Sequence, residues 1–366
     1  MTMRNRPDSA PDGSALRTVA TIAAATAVAA TARGAVRSRR DGRDRDEEAR
    51  GEPGRGRDAT TPSEVPARGW WDIAKRVVQQ VGEDRILSVA AGVTFYALLA
   101  LFPAIAAFVS IYGLFADPGT IQGHLALLAG ILPEGALTVI RDQVQRIASS
   151  GNGTLGYAFL GGLAVSLWSA NAGMKAVFDA LNVAYDEEEK RSFVALTLQS
   201  LLFTFLAMLF MMFAIAAIVV LPIVLDYVGL GRVGELLLSI GRWPLLFAGV
   251  VFALACLYRY GPSRDRARWR WVTWGSAIAA ILWLAGSALF SWYAANFGSY
   301  NETYGSLGAV IGFMTWMWLS TTAVLIGAEI NAETEHQTAR DTTDGPPRPL
   351  GARGATMADT VGPAQD

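Results

Sequence analysis

Cysteine and histidine are scarce in this chain of 366 residues, which has one cysteine, Cys256, and two histidines, His124 and His336. A single cysteine excludes a disulfide framework and a cysteine-based zinc site. Charged residues are also few, at 17%, whereas soluble domains usually have about 25%. The dense acidic group at 186–189 lies in a short loop beside Lys190 and Arg191, and we interpret it as a solvated loop. These shortages disfavour a soluble enzyme and indicate a membrane protein.

Long apolar runs are what the chain has instead. A helix rises ~1.5 Å per residue, so about 20 apolar residues cross a hydrocarbon core of ~30 Å. Six segments approach or exceed that length, and the sequence therefore predicts an all-α polytopic membrane protein with six transmembrane helices. They are Ile86–Phe115, Leu155–Leu181, Ala195–Leu225, Trp243–Tyr258, Trp271–Phe297 and Gly305–Ala328.

Two features within these segments bear on helix packing. Pro103 lies in the middle of the first segment, where it removes a helix hydrogen bond and predicts a kink. Gly308 and Gly312 form a GxxxG pattern in the sixth segment, which allows two helix backbones to approach closely in lipid. We therefore assign these three residues to helix packing or bending.

The regions outside the spans divide the chain into three parts. Residues 1–68 and 336–366 are predicted to be disordered cytoplasmic tails, on either side of a membrane domain at 69–335. Within that domain Trp70–Ile86 is predicted to be an amphipathic helix, which either lies on the membrane surface or packs on the ends of the spans. Ile121–Leu132 and Glu134–Ala148 are predicted to form an outer helical hairpin between the first two spans.

The loop charges predict the orientation. The Arg259–Arg270 loop carries five arginines, and Lys190 and Arg191 lie in another loop on the same predicted side. The loop at 298–303 carries no basic residue. Because short basic loops stay in the cytoplasm, the sequence predicts a multi-pass protein of the bacterial inner membrane with both termini cytoplasmic.

Polar residues near the cytoplasmic span ends form the candidate site. Lys175 and two carboxylates, Asp179 and Glu329, share one predicted membrane depth, where they could bind an anionic head group or act as a gate. An interfacial cluster of ion pairs and helix caps explains the same residues. The full candidate set is Ser88, Thr94, Tyr96, Trp168, Asn171, Lys175, Asp179, Tyr304, Glu329 and Asn331. We expect no catalytic residue, metal ion or cofactor.

Hydroxyl and amide side chains within the spans have two interpretations. They either form hydrogen bonds between helices, or they line a neutral, wettable cleft that accepts an amphiphile. Tryptophans would suit such a cleft, although they are also common at membrane interfaces.

Four segments resemble the YihY/BrkB family of bacterial inner-membrane proteins, over about Trp70–Glu335. They are Ser88–Ile105, Trp168–Tyr185, the YGPSRDR turn at 260–266, and Ser299–Ile330. The resemblance implies six spans with both ends inside. It implies no reaction, because the ribonuclease BN label once given to the family is generally regarded as mistaken.

We expect a transporter of a lipid-like or amphiphilic envelope substrate. The alternative is a non-transporting membrane scaffold in envelope assembly, and a membrane-bound hydrolase comes third. Membrane lipids are the expected partners and nucleic acid is not, while a homo-oligomer and envelope-assembly proteins are left open.

Overall fold

The computed structural model describes residues 53–112, 142, 157–217, 231–297 and 306–365. These ranges are helical and contain no β-strand, which confirms the all-α class. The long helices are α1 (Ala67–Glu83), α2 (Ile86–Tyr112), α3 (Tyr157–Ala184), α4 (Phe193–Ile215), α5 (Gly231–Tyr260), α6 (Trp269–Phe297) and α7 (Ser306–His336). A 3-10 turn at Pro62–Glu64 precedes them, and a short α8 (Thr356–Asp359) follows.

Five of these helices are long and apolar enough to cross a membrane, so the chain is an integral membrane protein. The stretches are Ile86–Phe108, Phe193–Ile215, Ile240–Tyr260, Trp269–Ala294 and Val310–His336. Helix α3 has 28 residues but is more polar, with Asn171, Lys175 and Asp179 in its second half. Apart from Asp142, the predicted outer hairpin lies outside the described residues.

The helices associate as two groups of three. α2 packs along α3, which also contacts α4, and α6 packs along α7 and α5. Contacts of α7 with α2 and α3 join the groups. The largest buried apolar cluster, which includes Ile86, Leu181, Tyr258, Val272 and Leu325, lies towards one end of this bundle. That end therefore holds the helices together most firmly.

Helices α6 and α7 approach each other closely at Gly275 and Gly327. A Cβ on Gly275 would lie 2.3 Å from the Gly327 carbonyl oxygen, and one on Gly327 would lie 2.5 Å from the Ala279 Cβ. By contrast, a Cβ on Gly312 would meet only the Phe290 ring, at 3.9 Å. The close contact therefore requires glycine at Gly275 and Gly327, which are not part of the GxxxG pattern. The packing role of Gly308 and Gly312 stays a prediction.

Pro103 does not end its helix. α2 continues through it to Tyr112. Whether Pro103 bends the helix as expected stays a prediction.

One end of the bundle is capped by a charged layer, which we define as α1, the connections at 185–192 and 261–268, and the C-terminal segment 337–365. α1 packs against α7 in this layer, which decides between its two predicted positions. Its polar residues Asp72 and Arg76 are buried beside Ile73 and Val77, whereas Trp71 is exposed. The face of α1 that carries Asp72, Ile73, Arg76 and Val77 therefore packs against the protein.

The C-terminal segment differs from the disordered tail that its composition predicts. Arg353 is 2% exposed and donates hydrogen bonds to the carbonyl oxygens of Ala339 (2.7 Å) and Ala358 (2.6 Å). Thr338 donates to the carbonyl oxygens of Arg57 and Ala59, so residues 53–66 are also attached to the layer. The prediction of disorder was based on the low apolar content of the segment, and apolar content gives no information about hydrogen bonds that hold a segment in place. Residues 1–52 lie outside the described ranges.

Candidate functional site

Two carboxyl groups meet inside the charged layer. Glu329, near the end of α7, is 0% exposed, and its carboxyl contacts that of Asp84, the residue that ends α1. Among the residues that the structure describes, no donor forms a hydrogen bond with either oxygen of Glu329 or with Asp84 Oδ2. Burial raises the pKa of Asp84, and the charges of Asp186 and Glu83 raise it further. Within the part of the chain that the structure describes, the pair is thus an acid–acid contact without a counter-ion.

The turn that presents Asp84 has an uncommon backbone. Arg85, the next residue, has φ 51°, in the left-handed region that non-glycine residues seldom adopt. This turn connects α1 to α2, and α1 packs against α7, so the position of Asp84 depends on how α1 lies on α7. The carboxyl pair therefore connects the α1–α2 junction to the end of α7.

Cations in the layer are committed to other partners. Arg76 Nε lies 2.5 Å from Glu333 Oε2, and Arg76 Nη2 donates to Gln337 Oε1 at 2.6 Å. Arg264 Nη2 lies 2.6 Å from Glu335 Oε2, which also accepts a hydrogen bond from Thr342 at 2.7 Å. These are buried ion pairs with further hydrogen bonds, the condition under which buried charges are tolerated. The Asp84–Glu329 pair differs from these ion pairs because both of its members are acids.

Lys175 has a hydroxyl group and two aromatic rings as its described neighbours. Its Nζ donates to Thr197 Oγ1 at 2.9 Å and lies 4.8 Å from the centre of the Phe193 ring and 5.6 Å from that of Trp168. Asp179 is exposed and forms no ion pair with Lys175 in the part of the chain that the structure describes. The sequence predicts only that Lys175, Asp179 and Glu329 share one membrane depth, and their common role as a head-group site or gate stays a prediction.

The remaining predicted site residues have separate positions. Asn331 accepts a hydrogen bond from the Gly275 amide at 2.9 Å and donates to the Val272 carbonyl at 3.3 Å, across α6 and α7. Ser88 and Tyr96 are exposed on α2, and Trp168 is exposed on α3. Tyr304 lies outside the described residues.

Two of them are buried in hydrogen bonds within or between helices. Thr94 is 3% exposed and donates to the Ala90 carbonyl at 2.8 Å. Asn171 is 2% exposed and accepts from Thr204 on α4 at 3.2 Å. Neither side chain reaches the Asp84–Glu329 pair through these bonds.

Tryptophans use several span hydroxyls as hydrogen-bond acceptors. Trp283 donates to Ser320, and Trp316 donates to Ser287, each at 3.1 Å between α6 and α7. Trp318 donates to the Leu87 carbonyl on α2 at 2.9 Å. For these residues the structure favours helix-to-helix bonding over a wettable cleft.

An apolar groove of about 340 Å³ lies between α6 and α7, far from the charged layer. Leu319 on α7 lines it, ten residues before Glu329, which corresponds to ~15 Å along the helix. The other lining residues are Gly286, Leu289, Phe290, Trp292 and Tyr293. Such a groove has the chemistry of an acyl-chain contact.

Sequence reasoning missed Asp84, Arg76, Arg264 and Glu335 as parts of the layer. Asp84 lies between the amphipathic helix and the first span. In the sequence, this position alone could have marked it as a candidate site residue. Its partner is separated from it by most of the chain. Local patterns therefore could not identify the contact.

These features define the class as a polytopic helical membrane protein with a charged layer at one end. Residues 77–350 match the family described as virulence factor BrkB, so the chain belongs to the BrkB family. No solved structure matches the chain.

The YfkH protein of Bacillus subtilis (strain 168), whose name describes it as ribonuclease-like, is 31% identical over 67% of this chain and 88% of its own length. A UPF0761 membrane protein of Alkalilimnicola ehrlichii is 28% identical over 70% of this chain and 57% of its own length. Another, of Methylibium petroleiphilum, is 26% identical over 72% of this chain and 62% of its own length. The chain thus spans less than two thirds of these two UPF0761 relatives.

Proposed function

We propose that the chain crosses the bacterial inner membrane six times, through α3 and the five more apolar helices. The charged layer then lies in the cytoplasm. Helix α3 has 28 residues, or ~42 Å, which is enough to cross a bilayer. Its C-terminal end enters the charged layer, where Asn182 accepts a hydrogen bond from the Ser263 amide at 2.8 Å. The arginines of the 261–268 connection support the cytoplasmic position of that layer.

We further propose that the protein moves or handles an amphiphilic envelope lipid with an anionic head group. The observation that carries this proposal is Lys175, a half-buried cation whose described partners are a hydroxyl and two aromatic rings. It lies nine residues, or ~14 Å, before the end of α3. A lysine that has no carboxylate partner among the described residues favours, at this depth, an anionic group that arrives from the lipid.

The surroundings of Lys175 suit the tails of such a lipid. Trp168 is 55% exposed and Phe193 is 68% exposed, and Leu198 continues the apolar surface along α4. An amphiphile could place its head group at Lys175 while its chains stay in contact with these side chains. The groove between α6 and α7 offers a second apolar surface.

Hydrolase activity is not part of the proposal. Glu333 and Glu335 are paired with Arg76 and Arg264, and Glu329 is fully buried. Phosphodiester hydrolysis needs carboxylates or an acid and base that reach the substrate. The ribonuclease-like name of the Bacillus relative therefore carries no argument about this chain.

Proteoliposomes with fluorescent lipids test this function. We expect wild-type protein to accelerate translocation of a labelled phosphatidylglycerol, and Lys175→Gln to reduce that rate more than the rate for phosphatidylcholine. Lys75→Gln is the matched control, because Lys75 also lies over a tryptophan, at 5.4 Å from the Trp71 ring, but on α1. Wild-type rates equal to those of empty liposomes would contradict transport and favour the scaffold alternative.

A further inference from the structure

We propose that Asp84 and Glu329 form a proton-binding site, in which the two carboxyl groups share one proton at the junction of α1 and α2 with α7. This site does not depend on the identity of the transported substrate. It assigns a chemical role to the two acids that the proposed lipid contact at Lys175 does not use.

The geometry requires a proton or another cation. In the described ranges no donor reaches either Glu329 oxygen or Asp84 Oδ2, although Glu329 is 0% exposed and touches Asp84. Two ionised carboxylates in contact repel each other, and a buried charge without a donor is costly. One proton between them replaces that repulsion with an O–H···O hydrogen bond. The two groups then titrate as a pair.

The neighbouring charges do not neutralise the pair. Acidic groups face it from three elements, namely Glu83 on α1, Asp186 after α3, and Glu333 on α7. Arg76 is committed to Glu333 and Gln337, and the Nδ1 of His336 lies 3.5 Å from the same Glu333 carboxylate. Tyr185 also lies near Glu329; its buried hydroxyl has no hydrogen-bond partner among the described residues, and burial raises its pKa, so it carries no charge. Because no described cation pairs with Asp84 or Glu329, we assign the neutralising charge to a proton from solution.

A zinc ion would need more protein ligands than the pair offers. Zinc sites use three or four protein ligands. In the described ranges, no three residues of the His, Cys, Asp and Glu types converge in that way. Two carboxyl groups in contact match a shared proton.

Loss of the proton would act on the charged layer. Two adjacent negative charges would push Asp84, at the α1–α2 turn, away from Glu329 on α7. α1 is attached to α7 by the buried Arg76–Glu333 ion pair, so strain at Asp84 reaches that contact. The site thereby couples the cytoplasmic proton concentration to how tightly α1 closes the end of the bundle.

Thermal unfolding of the purified full-length protein at a series of pH values between about 5 and 9 tests the site. If the folded state holds an extra proton, the unfolding equilibrium constant should rise with pH, by at most about tenfold per pH unit for one proton. Glu329→Gln carries an amide that donates to Asp84 at every pH. We expect this variant to lose most of that slope and to exceed the wild-type melting temperature at high pH.

Matched variants separate this site from general effects. Glu335→Gln alters a glutamate that is equally buried on the same helix but paired with Arg264, so it should lower the melting temperature at every pH and keep the slope. His336→Asn should also keep the slope. A wild-type slope in Glu329→Gln would overturn the proposal. So would a rise in wild-type stability at high pH on replacing choline chloride with sodium chloride, because the pair would then bind a metal cation.

Infrared difference spectroscopy provides a second measurement if Glu329→Gln does not fold. The wild-type protein near neutral pH should show the C=O stretching band of a protonated carboxylic acid. The band should be lost at high pH, and it should move or disappear in Asp84→Asn. The absence of the band from wild-type protein near neutral pH would overturn the proposal.

Discussion

Single buried polar side chains determine much of the contact between α6 and α7. Asn331, which the sequence predicts as a site residue, forms hydrogen bonds with the backbone of Gly275 and Val272. A predicted depth in the membrane could identify it as polar and near the span end. It could not reveal the partner, because the facing helix is not encoded in the local pattern. A direct role of Asn331 in substrate binding stays a prediction.

Asn331→Leu should lower the free energy of unfolding by ~1 kcal/mol, because it removes two interhelical hydrogen bonds at nearly constant volume. Chemical unfolding in detergent measures this change. Ser88→Ala is the control, since Ser88 is exposed and should have no measurable effect. Equal stability of Asn331→Leu and wild type would show that these bonds contribute nothing.

Glu189 provides a pH prediction outside the spans. Partial burial opposes ionisation, but hydrogen bonds from Arg191, at 2.8 and 2.6 Å, lower the net pKa of Glu189 to about 2. A depressed folded-state pKa contributes stability above the ordinary value of 4.5, and this is lost as pH falls from 4.5 towards 2. Glu189→Gln should therefore weaken the dependence of melting temperature on pH in this acid range. An unchanged acid dependence would contradict the role of the Arg191 contact.

Whole helices were the easiest feature to predict and their crossings the hardest. Apolar runs are local, so the sequence indicated the positions of α2–α7, although it started α5 too late at Trp243. The glycine contact between α6 and α7 involves Gly275 and Gly327, which form no motif together. A packing motif within one helix does not specify which of its faces meets a neighbour.

Gly275→Ala should destabilise the protein by about 1–3 kcal/mol, because its Cβ would lie 2.3 Å from the Gly327 carbonyl oxygen and would force the helices apart. Gly286→Ala is a matched control on the same helix, since a Cβ there would meet nothing within 4 Å. Melting temperatures in one detergent compare the two variants. A Gly275→Ala protein as stable as Gly286→Ala would contradict the close crossing.

At the scale of the whole molecule, the charged layer connects the ends of the helices to one another. Thr356 donates through its amide to Glu187 after α3, and Gly362 donates through its amide to the His336 carbonyl at the end of α7. Arg259 on α5 reaches Asp344 at 2.9 Å. Composition predicted a tail without structure, because the contacts that hold it are long-range and polar.

Arg353→Met should release this C-terminal segment, because it removes the donors to the Ala339 and Ala358 carbonyls while keeping most of the side-chain volume. We expect faster cleavage of the segment by a protease that does not require arginine, measured on purified protein by mass spectrometry. Arg268→Met is the control, since Arg268 is at the surface of the layer and contacts the Gly345 carbonyl only at 3.4 Å. Equal cleavage rates would contradict the anchoring role of Arg353.

The proposed six-span orientation makes a prediction that involves the entire chain. In a Cys256→Ala background, single cysteines at Ser192 and Arg266, both in the charged layer, should resist an impermeant thiol reagent in intact spheroplasts. Cysteines at Ser150 and Ser299, in connections predicted to lie outside, should react. Disruption of the membrane should make the first two reactive, which shows that they were protected by location. Protection of Ser150→Cys together with labelling of Ser299→Cys would mean that α3 does not cross the membrane. The opposite pattern at all four positions would reverse the orientation, and the proton site would then face the outside of the cell.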